Sequence, residues 1–414
     1  MSEGVTGMTV GIEAISAYCG SAYLDVEDLF AARGLDRARI ANLGMRHKSV
    51  AAPGEDVVAM AATAARPLVE ALTEEETASV RAVIVATESA VDLSKAASTH
   101  VHRLLELPRN CRLVEVKEAC YGGIAALQMA AALVSVEPDS RVLVVASDLP
   151  GPNKGTYAEP AQGAGAVAVL VGARPRVVEL TPGTSGLYGY EIADFARPRA
   201  DVDVVDTDLS LMAYLECLRG AFADYASRSP GADFARSFDL LAMHTPFPGM
   251  VRGAHRTGLR RLSDLGRDRE QEDFTRRVEP SLRFPSEVGN IYAATTLLAM
   301  ASAIAYGADP AGARLGVFSY GSGCSSEFFG CRVLPGAAEV VASGGFADEL
   351  AARRRLTVAE YDDATEAATT TTFGACDAKL EPDVLASWGA GRRPRAVLTT
   401  IQDYRREYTW LPAR

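Results

Sequence analysis

"VEVKEACYGGIAALQMAAALVSV", residues 114–136, sets a run of β-type residues directly ahead of an apolar helix of small side chains, with one cysteine at the junction. A strand feeding straight into a helix is the unit from which α/β folds are built. Cys120 stands just before a helix expected to begin around Gly122. Orphan backbone N–H groups and the positive end of the helix dipole there favour a thiolate and lower its pKa. Gly122 and Gly123 permit the close backbone approach that an acyl thioester reaching the sulfur would require. Position alone leaves a second reading open, because free cysteines are often buried as small apolar groups.

Outward from this stretch the same grammar repeats. Residues 55–72 read as a helix that Pro67 should kink or interrupt. Strand-like runs follow at 81–87, 111–116, 141–147 and 165–172. The second half offers a helix near 208–228, a strand at 238–244, an apolar helix at 290–306 and a strand at 314–321, then the β-type run "SEFFGCRVL". Short β-branched runs separated by helices imply a sheet covered on both faces, within an α/β fold. The Thr-rich "TEAATTTT" reads as a loop or edge strand. The apolar "NIYAATTLLAMASAIAYG", 290–307, approaches the length of a membrane span. It lacks cationic flanks and carries Asn290, Tyr292, Thr295, Thr296 and Ser302, so a buried core helix is expected.

Composition narrows the partners. A formal charge of −11 over 414 residues argues against nucleic acid or an anionic membrane as the main partner. Seven cysteines, an odd number with no CxxC, suggest neither a disulfide framework nor a zinc site. With no apparent signal peptide, a reducing cytoplasmic setting is the natural expectation.

Two further strand ends carry chemistry. "VIVATESAVD" presents Glu88 where a strand stops, and "LLAMHTPFPGM" presents His244 in a proline-bounded turn. Each has a bland alternative, a solvated loop residue or a helix N-terminal acid for Glu88. His47, His100, His102 and His255 lie in charged or helical surroundings, where a surface role is expected. A cysteine, a glutamate and a histidine at strand ends compose a covalent acid/base constellation.

With these residues in view, "EACYGG" (Cys120), "ATES" (Glu88) and "HTPF" (His244) resemble the signatures of 3-hydroxy-3-methylglutaryl-CoA synthases. The likeness continues through "QGAGAVAVL" (162–170), "DFARP" (194–198), "VGNIY" (288–292) and "FSYGSG" (318–323). It implies a thiolase-like αβαβα sandwich built from two similar halves, residues 1–175 with Glu88 and Cys120 and residues 176–414 with His244 and Asn290, paired as a homodimer. It further implies that Cys120 accepts an acetyl group, that Glu88 removes a proton from its methyl, and that His244 orients the β-keto thioester acceptor for aldol-type addition. Water then releases the product. Backbone N–H groups of Cys120 and around Ser322 would hold the enolate oxygen, Asn290 would bond the acceptor, and Phe195 and Pro198 would wall the pocket. No metal or redox cofactor is implied, only phosphopantetheine-linked acyl substrates on a carrier protein or CoA.

One departure points to a branch of the family. Mevalonate-pathway members usually carry Asp-x-Ala-Arg-Tyr after the third strand, whereas this chain reads "SDLPGPNKGTYAEP", with Pro152 near the place of that tyrosine and Tyr157 as a partial substitute. "RNCRLVEVKEACYGG", "YAEPAQGAGAVA" and "HTPFPGMVRGAHRT" look most like the synthases of bacterial polyketide assembly lines. Those enzymes take acetyl from a donor acyl carrier protein and add it to a β-ketoacyl chain on an acceptor carrier protein, for β-branching. Arg252, Arg256, Arg260 and Arg261, beyond His244, would suit an acidic carrier. A CoA phosphate would welcome the same patch, and a solvated helix would also account for it. The rival readings are a mevalonate-type synthase using acetyl-CoA and acetoacetyl-CoA, a ketoacyl synthase III-type condensing enzyme, and a silent carrier-binding scaffold. "HTPF" in place of "HQAN", together with an intact Glu88, favours aldol addition.

Overall fold

The computed structural model describes residues 9–151, 153–200, 202–381, 384, 387–388 and 393–413. Its centre is one ten-stranded sheet. In chain order the strands are β1 (Val10–Tyr18), β2 (Val80–Ala86), β3 (Arg112–Val116), β4 (Arg141–Asp148), β5 (Gly165–Gly172), β6 (Val178–Leu180), β7 (Gly186–Gly189), β8 (Leu240–Met243), β9 (Arg314–Gly321) and β10 (Ser325–Val333). Their spatial order is β8-β9-β10-β6-β1-β5-β4-β2-β3, with β7 alongside β10. The short β6 joins the two halves by pairing β1 on one side and β10 on the other.

The main helices on this sheet are α1 (Val57–Glu70), α2 (Ala97–Leu104), α3 (Gly122–Val136), α4 (Thr207–Arg228), α5 (Pro248–Leu262) and α6 (Thr295–Tyr306). Strand alternation sorts them into layers. Ala82, Ile84 and Ala86 of β2 and Val142, Val144 and Ala146 of β4 face inward onto α3 and α6. The intervening Val83, Val85, Leu143 and Val145 face outward onto α1 and α2. Across the molecule, Leu315 and Val317 share the central cluster, while Phe318 and Tyr320 turn outward to α4 and α5. The result is the five-layer αβαβα arrangement expected from the sequence.

A register shift between Ile12 and Ala14 resets the parity of β1, so that both Ile12 and Ile15 reach the central layer. The two central helices are the apolar ones. Every residue of α6 from Thr295 to Ile304 is buried, as a core helix requires. Ala119–Val136 is also long and apolar enough to cross a membrane, with a mean hydropathy of 1.6, yet α3 lies between the two halves of the sheet.

Two local expectations are corrected. Pro67 neither ends nor breaks α1, which runs three residues past it to Glu70. The Thr-rich run is largely helical rather than loop or edge strand: a helix spans Val358–Thr369, begun by a capping box of Thr357 and Glu360. Thr365, Thr369 and Thr370 satisfy their hydroxyls on the carbonyls of Tyr361, Glu366 and Ala367, which removes the polar cost of a helical threonine.

The chain beyond this helix returns to the N-terminal half. A small sheet of Ala378–Lys379, Arg395–Gln402 and Arg405–Leu411 packs on α1, with Ala396 against Ala59 and Ala62. Arg395 and Arg406 pair with the buried Glu55 and Asp56 at 2.8 and 3.2 Å.

The contact between the central helices is close enough to be tested. A Cβ at Gly123 would lie 2.1 Å from the Ala293 carbonyl oxygen and 3.1 Å from Ala146 Cβ, whereas one at Gly253 in α5 would meet open space. Gly123→Ala is expected to destabilise the protein by ~1–3 kcal/mol or more through overpacking. Gly253→Ala should stabilise it by roughly 0.5–1 kcal/mol through helix propensity. Denaturant melts of the two variants beside the parent check both signs.

Candidate active site

Parallel pairing brings the first two functional side chains together. β2 lies between β3 and β4, with Ala86 opposite Val116 on one side and Ala146 on the other. Thr87 N–H extends the ladder to the Val116 carbonyl at 3.1 Å. Three strands therefore end side by side, and the residues just past their carboxyl ends converge, as they do at ligand sites of α/β sheets generally. These are Glu88 after β2, Cys120 after β3, and Asp148 closing β4.

Cys120 is presented by a tight turn. Ala119 has φ +43°, an uncommon left-handed conformation for a residue with a side chain, and Gly122 N–H bonds the Ala119 carbonyl at 3.2 Å before α3 begins. The Cys120 thiol, buried, donates to Glu88 Oε2 at 3.8 Å. The other carboxyl oxygen of Glu88, Oε1, is buried without a hydrogen bond.

Asp148 holds the surrounding backbone. Its Oδ1 accepts from Glu88 N–H at 2.8 Å, Ser89 N–H at 3.1 Å and the Thr87 hydroxyl at 2.9 Å. Its Oδ2 accepts from Ala293 N–H at 3.0 Å, which ties the turn before α6 to the same point. In that turn Asn290 Oδ1 accepts from Tyr292 N–H and the Thr295 hydroxyl at 3.0 and 2.8 Å.

His244 follows β8 and comes into the region through β9. β8 and β9 are parallel with Met243 opposite Phe318, and His244 N–H bonds the Phe318 carbonyl at 2.7 Å. β9 ends at Gly321, where a Cβ would lie 2.6 Å from the Glu118 carbonyl oxygen and 2.8 Å from the Tyr121 nitrogen, so the Gly321–Gly323 turn abuts the Cys120 loop. Asp194 fixes that turn, accepting from Gly323 N–H at 2.9 Å and the Tyr320 hydroxyl at 2.6 Å. Ser322 sits half-buried at its tip. Thus Cys120 and Glu88 touch, while His244 is linked to their loop only through β9, whose terminal turn rests on the Cys120 turn.

The electrostatics correct one expectation. The Cys120 pKa is raised well above that of an ordinary thiol, chiefly by burial and then by the charges of Glu88 and Asp148. These effects outweigh the helix terminus, so the resting group is a thiol rather than a dipole-stabilised thiolate. Glu88 is pushed up to about 8 by burial and by Asp148, with Arg197 pulling the other way. Burial raises Asp148 too, but its four donors all stabilise the carboxylate. Of this coupled pair, Asp148 carries the charge and Glu88 holds the proton. His244, buried with Nδ1 unpartnered, is lowered to about 3 by burial alone and is a neutral imidazole.

Other expected residues fall outside this cluster. Tyr157 is exposed; its hydroxyl accepts from Asp36 N–H at 3.3 Å and its ring stacks under Arg39 at 4.3 Å, so it does not substitute for an acyl-site tyrosine. Pro198 is exposed rather than pocket wall, because side chains alternate along Phe195–Arg199 and the inward one is Arg197; Phe195 is half-buried. Pro152 lies outside the described residues. His100 and His255 are buried, not superficial: His100 packs edge-on to Tyr408, and His255 Nε2 pairs with Asp273 at 2.7 Å beside Arg277. Arg252, Arg256, Arg260 and Arg261 are exposed along α5, with Arg252 stacked on Phe274 at 4.0 Å and Arg260 paired to Glu270 at 2.6 Å.

The structure adds residues that the sequence reading passed over. Asp148 ends a strand, the same signal that singled out Glu88. Arg197 lies inside "DFARP", and its Nη2 comes within 3.8 Å of Glu88 while its Nε bonds Asp203 at 2.7 Å. Nothing in local sequence marks Asp203.

Models of the N-terminal and C-terminal parts of hydroxymethylglutaryl-coenzyme A synthase match residues 7–175 and 260–384. The polyketide biosynthesis 3-hydroxy-3-methylglutaryl-ACP synthase of Bacillus subtilis is 41% identical over 420 residues, covering 98% of this chain and 100% of that protein. The HMG synthase of the curacin biosynthetic pathway, solved in complex with its holo donor ACP, superposes with a TM-score of 0.94 at 40% identity, covering 97% of this chain and all of that one. The hydroxymethylglutaryl-CoA synthase of Enterococcus faecalis is 36% identical over 86% of this chain and 91% of its own length. With both family models in place on a chain 41% identical to a relative along nearly its whole length, the chain belongs to the hydroxymethylglutaryl-coenzyme A synthase family.

Proposed function

We propose that this protein is a carrier-protein-dependent HMG synthase of polyketide β-branching, which moves acetyl from a donor acyl carrier protein onto Cys120 and adds it to a β-ketoacyl thioester on an acceptor carrier. The observation that carries the chemistry is the buried contact between the Cys120 thiol and a Glu88 carboxyl able to hold or release a proton near neutrality. The greater likeness to carrier-dependent synthases, at 40–41% identity and a TM-score of 0.94, than to the Enterococcus enzyme at 36% or to a relative solved in complex with 3-hydroxy-3-methylglutaryl coenzyme A at a TM-score of 0.87, supports a carrier rather than free CoA as the acyl source.

The chemistry follows from the protonation states. Because the thiol is protonated at rest, attack of Sγ on the donor thioester passes its proton to the ionised fraction of Glu88, and Glu88 hands that proton to the departing pantetheine sulfur. On the acetyl-enzyme, the Glu88 carboxylate so regenerated removes a methyl proton. The C–H electron pair moves onto the thioester oxygen, where backbone N–H groups of Cys120 and the Ser322 turn stabilise the enolate. The enolate carbon attacks the acceptor ketone. Neutral His244 serves as an N–H donor to the acceptor rather than as an imidazolium acid, and Asn290 Nδ2 offers a second donor. Glu88 returns its proton to the new alkoxide, and water then cleaves the Cys120 thioester to a carboxylate.

The arginine face of α5 supplies a basic strip on a chain whose formal charge is −11, suited to orient an acidic carrier. A homodimer is the expected assembly.

Three outcomes test this reading. Acetyl-loaded donor carrier should add one acetyl group to the intact protein but not to Cys120→Ser; absence of the adduct from the parent would sink the covalent mechanism, and equally fast loading from acetyl-CoA would favour the mevalonate-type enzyme. Deuterium exchange into the methyl of the acetyl-enzyme needs ionised Glu88, so its rate should climb with pH through about 8 and level off above. Arg256→Glu combined with Arg261→Glu should slow loading from the carrier by ~10-fold or more at low salt. Loading from acetyl-pantetheine, which lacks the protein surface, should be unaffected, and added salt should shrink the difference.

A further inference from the structure

We infer that Arg197 is a positioning residue which swings into an ion pair with Glu88 when that carboxyl ionises, and so sets the pH at which the acetyl methyl can be deprotonated. The inference rests on the proposed role of Glu88 as the base.

The geometry is that of a poised, unclosed pair. Arg197 Nη2 stands 3.8 Å from Glu88 Oε1, beyond hydrogen-bond reach, and Oε1 is the carboxyl oxygen buried without a partner. The two side chains are 13% and 8% exposed, so water screens them little. Arg197 is held in place by Asp203, which accepts from Nε at 2.7 Å and Nη2 at 3.4 Å, and by a bond from Nη1 to the Ser89 hydroxyl at 3.2 Å. Its guanidinium also lies 5.4 Å from the Tyr292 ring centroid. The chain leaves room for it, since a Cβ at Gly151 would fall 2.0 Å from Asp203 Oδ2 and 2.8 Å from Arg197 Nη2.

The charged and titratable groups facing Glu88 are Asp148 from the end of β4, Asp203 from the strand Val202–Val205, Cys120 from the turn before α3, Tyr292 from the turn before α6, and Arg197 itself. Arg197 is the single cation in that set. Burial and both aspartates oppose a negative Glu88. When Glu88 loses its proton, closing a gap of about an ångström gives the new carboxylate a charge-assisted bond to a guanidinium that needs no further desolvation. When Glu88 takes the methyl proton, the C–H bond breaks, an O–H bond forms, and the pair opens again.

A purely structural role is the alternative, in which Arg197 only braces the Phe195–Val205 hairpin through Asp203. The two are separated by the pH dependence of methyl exchange, measured by mass on the Cys120 peptide with excess acetyl-loaded donor carrier in deuterated buffer. Arg197→Met should move the midpoint up by about 1–3 pH units while leaving a plateau reachable at alkaline pH, and Arg197→Lys should restore most of the shift. Asp203→Asn, which removes the competing carboxylate, should move the midpoint down. An unchanged midpoint with a lowered plateau in Arg197→Met overturns the inference. Should Arg197→Met fail to fold, Arg197→Gln takes its place: a raised midpoint that Arg197→Lys does not show supports the pair, and an unchanged midpoint overturns it. Exchange that persists in Glu88→Gln would overturn the role of Glu88 as the base, and the inference with it, by a signature that no Arg197 variant produces.

Discussion

Asp148 accepts four hydrogen bonds, and the two halves of the site meet on its carboxylate. Three of the donors belong to the segment Thr87–Ser89, which carries Glu88; the fourth is Ala293 N–H from the turn that leads into α6. A single buried side chain therefore fixes the position of Glu88 relative to the turn that leads into α6. Few other groups could do this. A carboxylate offers enough lone pairs to satisfy four donors at once, and its charge is tolerable at this depth only because all four are aimed at it. Its ionisation has a consequence for its neighbour, since a fixed negative charge beside Glu88 keeps that carboxyl protonated to a higher pH than burial alone would.

The same charge reshapes the role of the cysteine. A helix N-terminus ordinarily favours a thiolate, yet here burial and two carboxyls dominate and Cys120 rests as a thiol hydrogen-bonded to Glu88. In the proposed reaction such a thiol stays quiet until a thioester offers a carbonyl, when its proton passes to the ionised fraction of Glu88 as the bond to sulfur forms. In that proposed reaction one carboxyl relays the thiol proton to the leaving sulfur and the methyl proton to the alkoxide, because its affinity for the proton lies close to neutrality.

Close backbone approach is what makes this cluster compact. Gly123 lets α3 press against the Ala293 carbonyl, and Gly321 lets the turn after β9 rest on the Glu118–Tyr121 backbone. In both places a methyl group would collide with main chain rather than with a flexible side chain, so the contact could be relieved only by moving a whole element. The helix behind Cys120 and the turn that faces it are thus set by backbone against backbone, with little freedom to drift.

The sequence by itself determined the alternation of strands and helices, the apolar identity of the two central helices, and the residues at strand ends, because side-chain periodicity and strand-end chemistry are local properties. Glu88, Cys120 and His244 could be found this way, each standing where a recognisable strand stops. Asp148 satisfied the same rule and was legible on the same terms. Tertiary structure decided what periodicity cannot see. Arg197 reaches Glu88 only because a distant hairpin folds over the ends of β2 and β4, and Asp203 matters only because it holds that arginine. Tyr157, apparently well placed in the chain, turns away to Phe30 and Arg39. His255, in a run of arginines, is drawn inside by Asp273 and Arg277. The direction of the Cys120 pKa likewise follows from what surrounds the sulfur in space, since desolvation and through-space charge depend on three-dimensional neighbours and not on position along the chain.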